Sequence, residues 1–126
     1  MSFRALLVTR DDQAAEAITP VLSNFGLSVQ CCSYPDALCL VSEQKFQTII
    51  VDYDDSHSAP LVFQKIASAS FENHPVTVAL LTDKNMVRNV FGAGASFVLY
   101  KPLSMQEAED TLWAATVLPR SVLTRL

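Results

Sequence analysis

Short apolar runs alternate with longer amphipathic stretches along the 126-residue chain. Ala5-Leu6-Leu7-Val8 is apolar without a break, the pattern of a strand covered on both faces. Asp11 or Asp12 then offers a carboxylate to cap a helix whose Ile18, Val21, Leu22 and Phe25 share one face. Pro20 falls inside that helix and predicts a kink, and Gly26 predicts its end. A second strand is expected over 27–32 and a second helix over 36–44. Thr48-Ile49-Ile50-Val51 is dense in β-branched residues and predicts the third strand, ending at Asp52. Asp54-Asp55-Ser56-His57-Ser58 reads as a polar loop, and Pro60 suits the first turn of a helix to about Ala69. Val76 to Leu81 is the fourth strand, and a short helix over 84–91 should stop at Gly92-Ala93-Gly94. Phe97-Val98-Leu99-Tyr100 is the fifth strand. Ser104 and Glu107 then have capping-box spacing, and Leu112, Trp113 and Val117 supply the last helix's apolar face.

Five strand–helix units of this kind predict an α/β fold, a doubly wound parallel sheet with helices on both faces. Residues 1–118 are expected to form one domain, with 119–126 a C-terminal tail or the start of a linker. Such sheets bind ligands beyond the carboxyl ends of their strands. The polar residues at those ends are therefore the ones to read for chemistry: Thr9, Arg10 and Asp11, then Asp52, Thr82 and Lys101.

Composition narrows the function. Half the residues are hydrophobic, enough for a core that needs neither disulfide nor metal. The formal net charge of −4, with nine Lys and Arg spread thinly, argues against a nucleic-acid surface. Cys31, Cys32 and Cys39 lack the spacing of a zinc site and read as small, buried, reduced residues. No apolar stretch approaches membrane-spanning length and the first residues lack a signal-peptide layout, so a soluble, cytoplasmic protein is expected. His57 and His74 read as solvated loop residues, and Trp113 as core or interface packing.

At the strand ends, a carboxylate, a hydroxyl and an ammonium suit phosphoryl chemistry. Asp52 can act as a nucleophile toward a phosphoryl group, Thr82 can donate to a phosphoryl oxygen, and Lys101 can offset developing negative charge. With these residues the sequence resembles the receiver domain of two-component response regulators over about residues 5–113. The motifs are Ile49-Ile50-Val51-Asp52, Val78-Ala79-Leu80-Leu81-Thr82, and Gly94-Ala95-Ser96 followed by Lys101-Pro102. The resemblance implies a flavodoxin-like sheet in order 2-1-3-4-5, with Asp52 as phosphoacceptor, Thr82 as switch hydroxyl and Lys101 as phosphate-contacting lysine. It also implies signalling partners, a sensor histidine kinase or an output domain, and a homodimer as a further option.

The departures fall on the metal and the switch. Receivers usually place an acidic pair after the first strand to hold Mg²⁺, and Thr9 and Arg10 stand there instead. Magnesium relies on hard, negatively charged oxygen ligands, so any Mg²⁺ site at Asp52, with help from Asp11 or Asp54, is expected to be weak or absent. Arg10 is the candidate cation to replace the metal, by pairing with Asp52, Asp11 or Asp54. Ser56 occupies the place of the family's usual Pro, and Val98 that of its switch aromatic, with Tyr100 on the same strand face. The stretch between Thr82 and Gly94 is also short. These features favour a pseudo-receiver, an interaction module and not an enzyme, over a receiver phosphorylated at Asp52 by a histidine kinase. A third reading is a haloacid-dehalogenase-like phosphohydrolase, whose nucleophile and acid Asp52-Tyr53-Asp54 imitates. Against it, the Asp pair follows the third strand and no acidic motif follows Lys101.

Overall fold

A computed structural model describes residues 3–54, 58–68 and 75–125, with side chains described to 117. The strands are β1 Phe3–Val8, β2 Leu27–Cys32, β3 Thr48–Asp52, β4 Val76–Leu81 and β5 Phe97–Tyr100. The helices are α1 Asp12–Asn24, α2 Tyr34–Glu43, α3 Ala59–Ser68, α4 Val87–Ala93 and α5 Met105–Arg125, with a 3-10 turn Lys84–Met86 leading into α4. The five strands form one parallel sheet in the order β2-β1-β3-β4-β5, as the resemblance implied.

The unbroken apolar runs are explained by burial on both faces. Leu6, Val8, Ile49, Val51, Ala79 and Leu81 face one core with Ala37 and Val41 of α2, Val62 and Phe63 of α3, and Val90 of α4. Their strand neighbours Ala5, Leu7, Ile50, Val78, Leu80 and Leu99 face the other, with Ile18 and Leu22 of α1 and Ala108 and Leu112 of α5. Complete burial of a Leu or Ile contributes about 1.5–3 kcal/mol, so the sheet's centre supplies much of the driving force.

Helix ends follow local chemistry. Asp11 caps α1 by accepting from the Gln13 and Ala14 amides, and Gly26 ends that unit at φ 86°. The helix continues past Pro20 to Asn24. Helix α2 begins two residues ahead of expectation, because Pro35 is accommodated in its first turn, where no amide is needed. Helix α4 runs through Gly92 and stops at Gly94, whose φ of 123° suits glycine best.

Several expectations need correction. Cys31 and Cys39 are exposed and Cys32 is only partly buried, since β2 is an edge strand and Cys39 lies on the outer side of α2. Trp113 is 45 % exposed; Ala108, Leu112, Ala115 and Thr116 make the buried side of α5. Helix α5 runs on through residues 119–125. Ser56, His57 and His74 lie outside the described residues. No helix among the described residues is long and apolar enough to cross a membrane.

Candidate functional site

Strand register assembles the site. Val8 pairs with Val51, so Thr9, the next residue after β1, comes level with Asp52 at the end of β3. Leu81 pairs with Tyr100, so Thr82 and Lys101 leave the sheet side by side. The Lys101 amide still bonds the Leu81 carbonyl at 2.9 Å, and the Tyr53 amide the Leu80 carbonyl at 2.9 Å. Four strand ends thus deliver a carboxylate, two hydroxyls and an ammonium to one edge.

The Lys101 ammonium lies among three carboxylates: 2.6 Å from Asp52 Oδ2, 3.1 Å from Asp11 Oδ2 and 3.1 Å from Asp54 Oδ2. Asp52 is the buried member, its residue 4 % exposed. Its Oδ2 also accepts the Thr9 hydroxyl at 2.7 Å, and its Oδ1 accepts the Asp54 amide at 3.0 Å. The Thr9 oxygen in turn accepts the Asp11 amide at 2.9 Å. Thr82 does not reach for Asp52. Its amide donates to Asp54 Oδ1 at 3.0 Å and its hydroxyl to Asp54 Oδ2 at 2.7 Å.

Electrostatics follow from this geometry. The hydrogen bond from Lys101 holds the Asp11 carboxyl below the usual carboxylate range, helped by the amides that Asp11 caps. Burial alone raises Asp54, but the two bonds from Thr82 and the Lys101 ammonium outweigh it and leave Asp54 lowered as well. Burial would lower Lys101, yet its bonds to Asp52, Asp11 and Asp54 win and push its pKa up. Asp11, Asp54 and Lys101 are therefore ionised at neutral pH.

Sequence-predicted residues therefore divide. Asp11, Asp52, Asp54, Thr82 and Lys101 come together. The Arg10 guanidinium lies 5.5 Å from the centre of the Tyr34 ring, and the Lys101 ammonium meets Asp52, Asp11 and Asp54. Lys101 leaves β5 beside Thr82, and Arg10 lies exposed in the loop before α1. Among the described residues, no group of three or more His, Cys, Asp and Glu is arranged to hold a metal ion. Val98 and Tyr100 share one side of β5 and pack on the same core, with the Lys84 ammonium 5.4 Å from the Tyr100 ring centre.

Two residues were missed from sequence. Tyr34, 3 % exposed, donates its hydroxyl to the Asp52 carbonyl at 2.6 Å and so ties α2 to the end of β3. An aromatic at a helix start reads as core, and nothing in its spacing marks the polar contact. Thr9 was placed at the strand ends but given no partner, and its hydroxyl is a direct partner of Asp52.

Solved structures with this arrangement of strands and helices are numerous. A chemotaxis response regulator of Vibrio cholerae superposes with a TM-score of 0.80 at 18 % identity, covering 91 % of this chain and 99 % of that one. A CheY-like response regulator receiver domain from Methylobacillus flagellatus gives 0.77 at 22 % identity, covering 91 % and 99 %. The receiver domain of a sensor histidine kinase from Pseudomonas aeruginosa PAO1, described with a magnesium ion coordinated in its active site cleft, gives 0.75 at 20 % identity, covering 91 % and 98 %. The chain has the receiver fold. No protein-family model matches the sequence, and neither does any curated protein. At these identities the likeness establishes the receiver fold, and the chemistry rests on this chain's own residues.

Proposed function

We propose that this receiver-fold chain is a signalling domain of the two-component response-regulator type that acts as a pseudo-receiver. On this reading it is a cytoplasmic protein-interaction module and not an enzyme. It takes its signal from, or passes it to, a sensor histidine kinase or an output domain, with pairing to a second copy as a further option. Magnesium is held weakly or not at all, and phosphorylation at Asp52 is impaired.

The observation that carries this is that the Lys101 ammonium is shared among three carboxylates and both Asp52 oxygens already accept hydrogen bonds. A lysine ammonium has three protons to donate. The three carboxylates of Asp52, Asp11 and Asp54 lie within reach of them. Both oxygens of Asp52 already accept, Oδ2 from Lys101 and Thr9 and Oδ1 from the Asp54 amide. Transfer of a phosphoryl group to Asp52 needs an oxygen free to attack and positive charge for the incoming oxygens. Here the local cation is committed, and the position beside Asp52 presents a hydroxyl where a further carboxylate would serve a metal.

Phosphorylation at Asp52 remains the second reading, favoured by the convergence of Asp52, Thr82 and Lys101 on one edge. The phosphohydrolase reading loses support because Asp54, its acid, is held below the usual carboxylate range and has no proton to give at neutral pH. Magnesium titration of wild type against the double variant Thr9→Asp with Arg10→Asp tests the proposal. The variant, with its oxygen ligands restored, is expected to bind Mg²⁺ at least tenfold more tightly than wild type, about 1.4 kcal/mol. Equal affinity of the two would contradict the account of the missing acidic pair.

A further inference from the structure

We infer that the Asp54 carboxylate is a latch joining the loop after β3 to the loop after β4, holding the Thr82 hydroxyl away from Asp52. The inference deepens the pseudo-receiver reading and rests on it for what the latch regulates. Both oxygens of Asp54 are engaged by one residue. Oδ1 accepts the Thr82 amide at 3.0 Å and Oδ2 the Thr82 hydroxyl at 2.7 Å. A threonine hydroxyl has one proton, and here it goes to Asp54. Oδ2 also lies 3.1 Å from the Lys101 ammonium, so Asp54 draws on the same cation as Asp52.

Asp54 is well placed to hold this position. Its own amide donates to Asp52 Oδ1 at 3.0 Å, which fixes the turn that carries its side chain. Directly after Thr82, Asp83 accepts the Asn85 amide at 2.9 Å and starts the 3-10 turn Lys84–Met86 that leads into α4. The latch therefore acts on the first residue of the path to α4. A group arriving at Asp52 must win the Thr82 proton from a carboxylate already ionised and already bonded. Neutralising Asp54, by a partner's cation or by substitution, releases Thr82 and one Lys101 proton together. The two competitors for that proton are both charged acceptors, for which hydrogen bonds are stronger than between neutral groups.

Residue-resolved amide hydrogen exchange of the whole chain tests this without any phosphoryl donor. In Asp54→Ala the Thr82 amide loses its acceptor, and its exchange is expected to rise about tenfold over wild type. Asp54→Asn has the same shape without the charge and keeps the experiment readable if the Ala variant does not fold. It should raise Thr82 exchange several-fold, because an amide oxygen accepts less strongly than a carboxylate. Unchanged Thr82 exchange in a folded Asp54 variant would overturn the latch and leave the pseudo-receiver reading untouched. Efficient phosphorylation of wild type would remove that reading, while faster Thr82 exchange in the variants would still establish the latch.

Discussion

Lys101 is the residue on which the site turns, because it answers three carboxylates from a position with its side chain only 13 % exposed. Its removal leaves Asp52, 5 % exposed at the side chain, with the Thr9 hydroxyl and the Asp54 amide but without the ammonium 2.6 Å away. Breaking one side of a largely buried ion pair costs about 3 kcal/mol, so Lys101→Met is expected to lose about that much at pH 7. The dependence on pH has a definite sign. Asp11 and Asp54 have folded-state values below the ordinary 3.8, so their contribution is complete above 3.8 and is lost as pH falls through the lowered values. Lys101 is raised above the ordinary 10.5, so its contribution is complete below 10.5 and is lost as pH rises through the raised value. Denaturation of wild type and Lys101→Met across pH should therefore show a constant gap between those limits, closing on the acid side below 3.8. A gap that persists unchanged at pH 2 would mean that the loss arises from packing and not from the ion pairs.

At the scale of elements, the edge position of β2 has a chemical consequence. Cys31 and Cys39 are exposed, whereas Cys32 is partly buried and its thiol is pushed up to about 11, by burial first and then by Asp36 and Cys31. Thiolate is the reactive form, so a thiol reagent at pH 8 should modify Cys31 and Cys39 well before Cys32, as peptide mass mapping would read directly. Equal modification of all three would contradict this placement. Small apolar residues are usually buried, which pointed to buried cysteines, but β2 is an edge strand and Cys39 lies on the outer side of α2. The strands themselves were legible, since apolar runs such as Thr48-Ile49-Ile50-Val51 have one good explanation. Helix boundaries were less so. Gly92 read as a breaker and is accommodated near the end of α4, and α2 starts before the expected residue 36 with Pro35 in its first turn. Trp113 shows the same limit, because it sits one residue beyond Leu112 and turns away from the buried stripe.

Over the whole molecule, one sheet edge gathers side chains from four loops, and the parallel register accounts for that gathering. The set of residues at the strand ends was readable from the chain, because ligands of doubly wound sheets lie there. Which cation meets which carboxylate was not. Lys101 lies 2.6 Å from Asp52 and the Arg10 guanidinium lies over the Tyr34 ring, and residue type alone assigns neither contact. The Tyr34 contact with the Asp52 carbonyl was likewise hidden, because it joins residues far apart in the chain. The central claim is that Asp52 is held by Lys101, Thr9 and the Asp54 amide and takes up a phosphoryl group poorly. Its most direct test is intact-mass measurement of the phosphorylated fraction after wild type meets a small phosphodonor with Mg²⁺, with Asp52→Ala as the control. The account predicts little labelling of wild type and no difference between the two proteins. Strong, magnesium-dependent labelling of wild type that is absent from Asp52→Ala would contradict it.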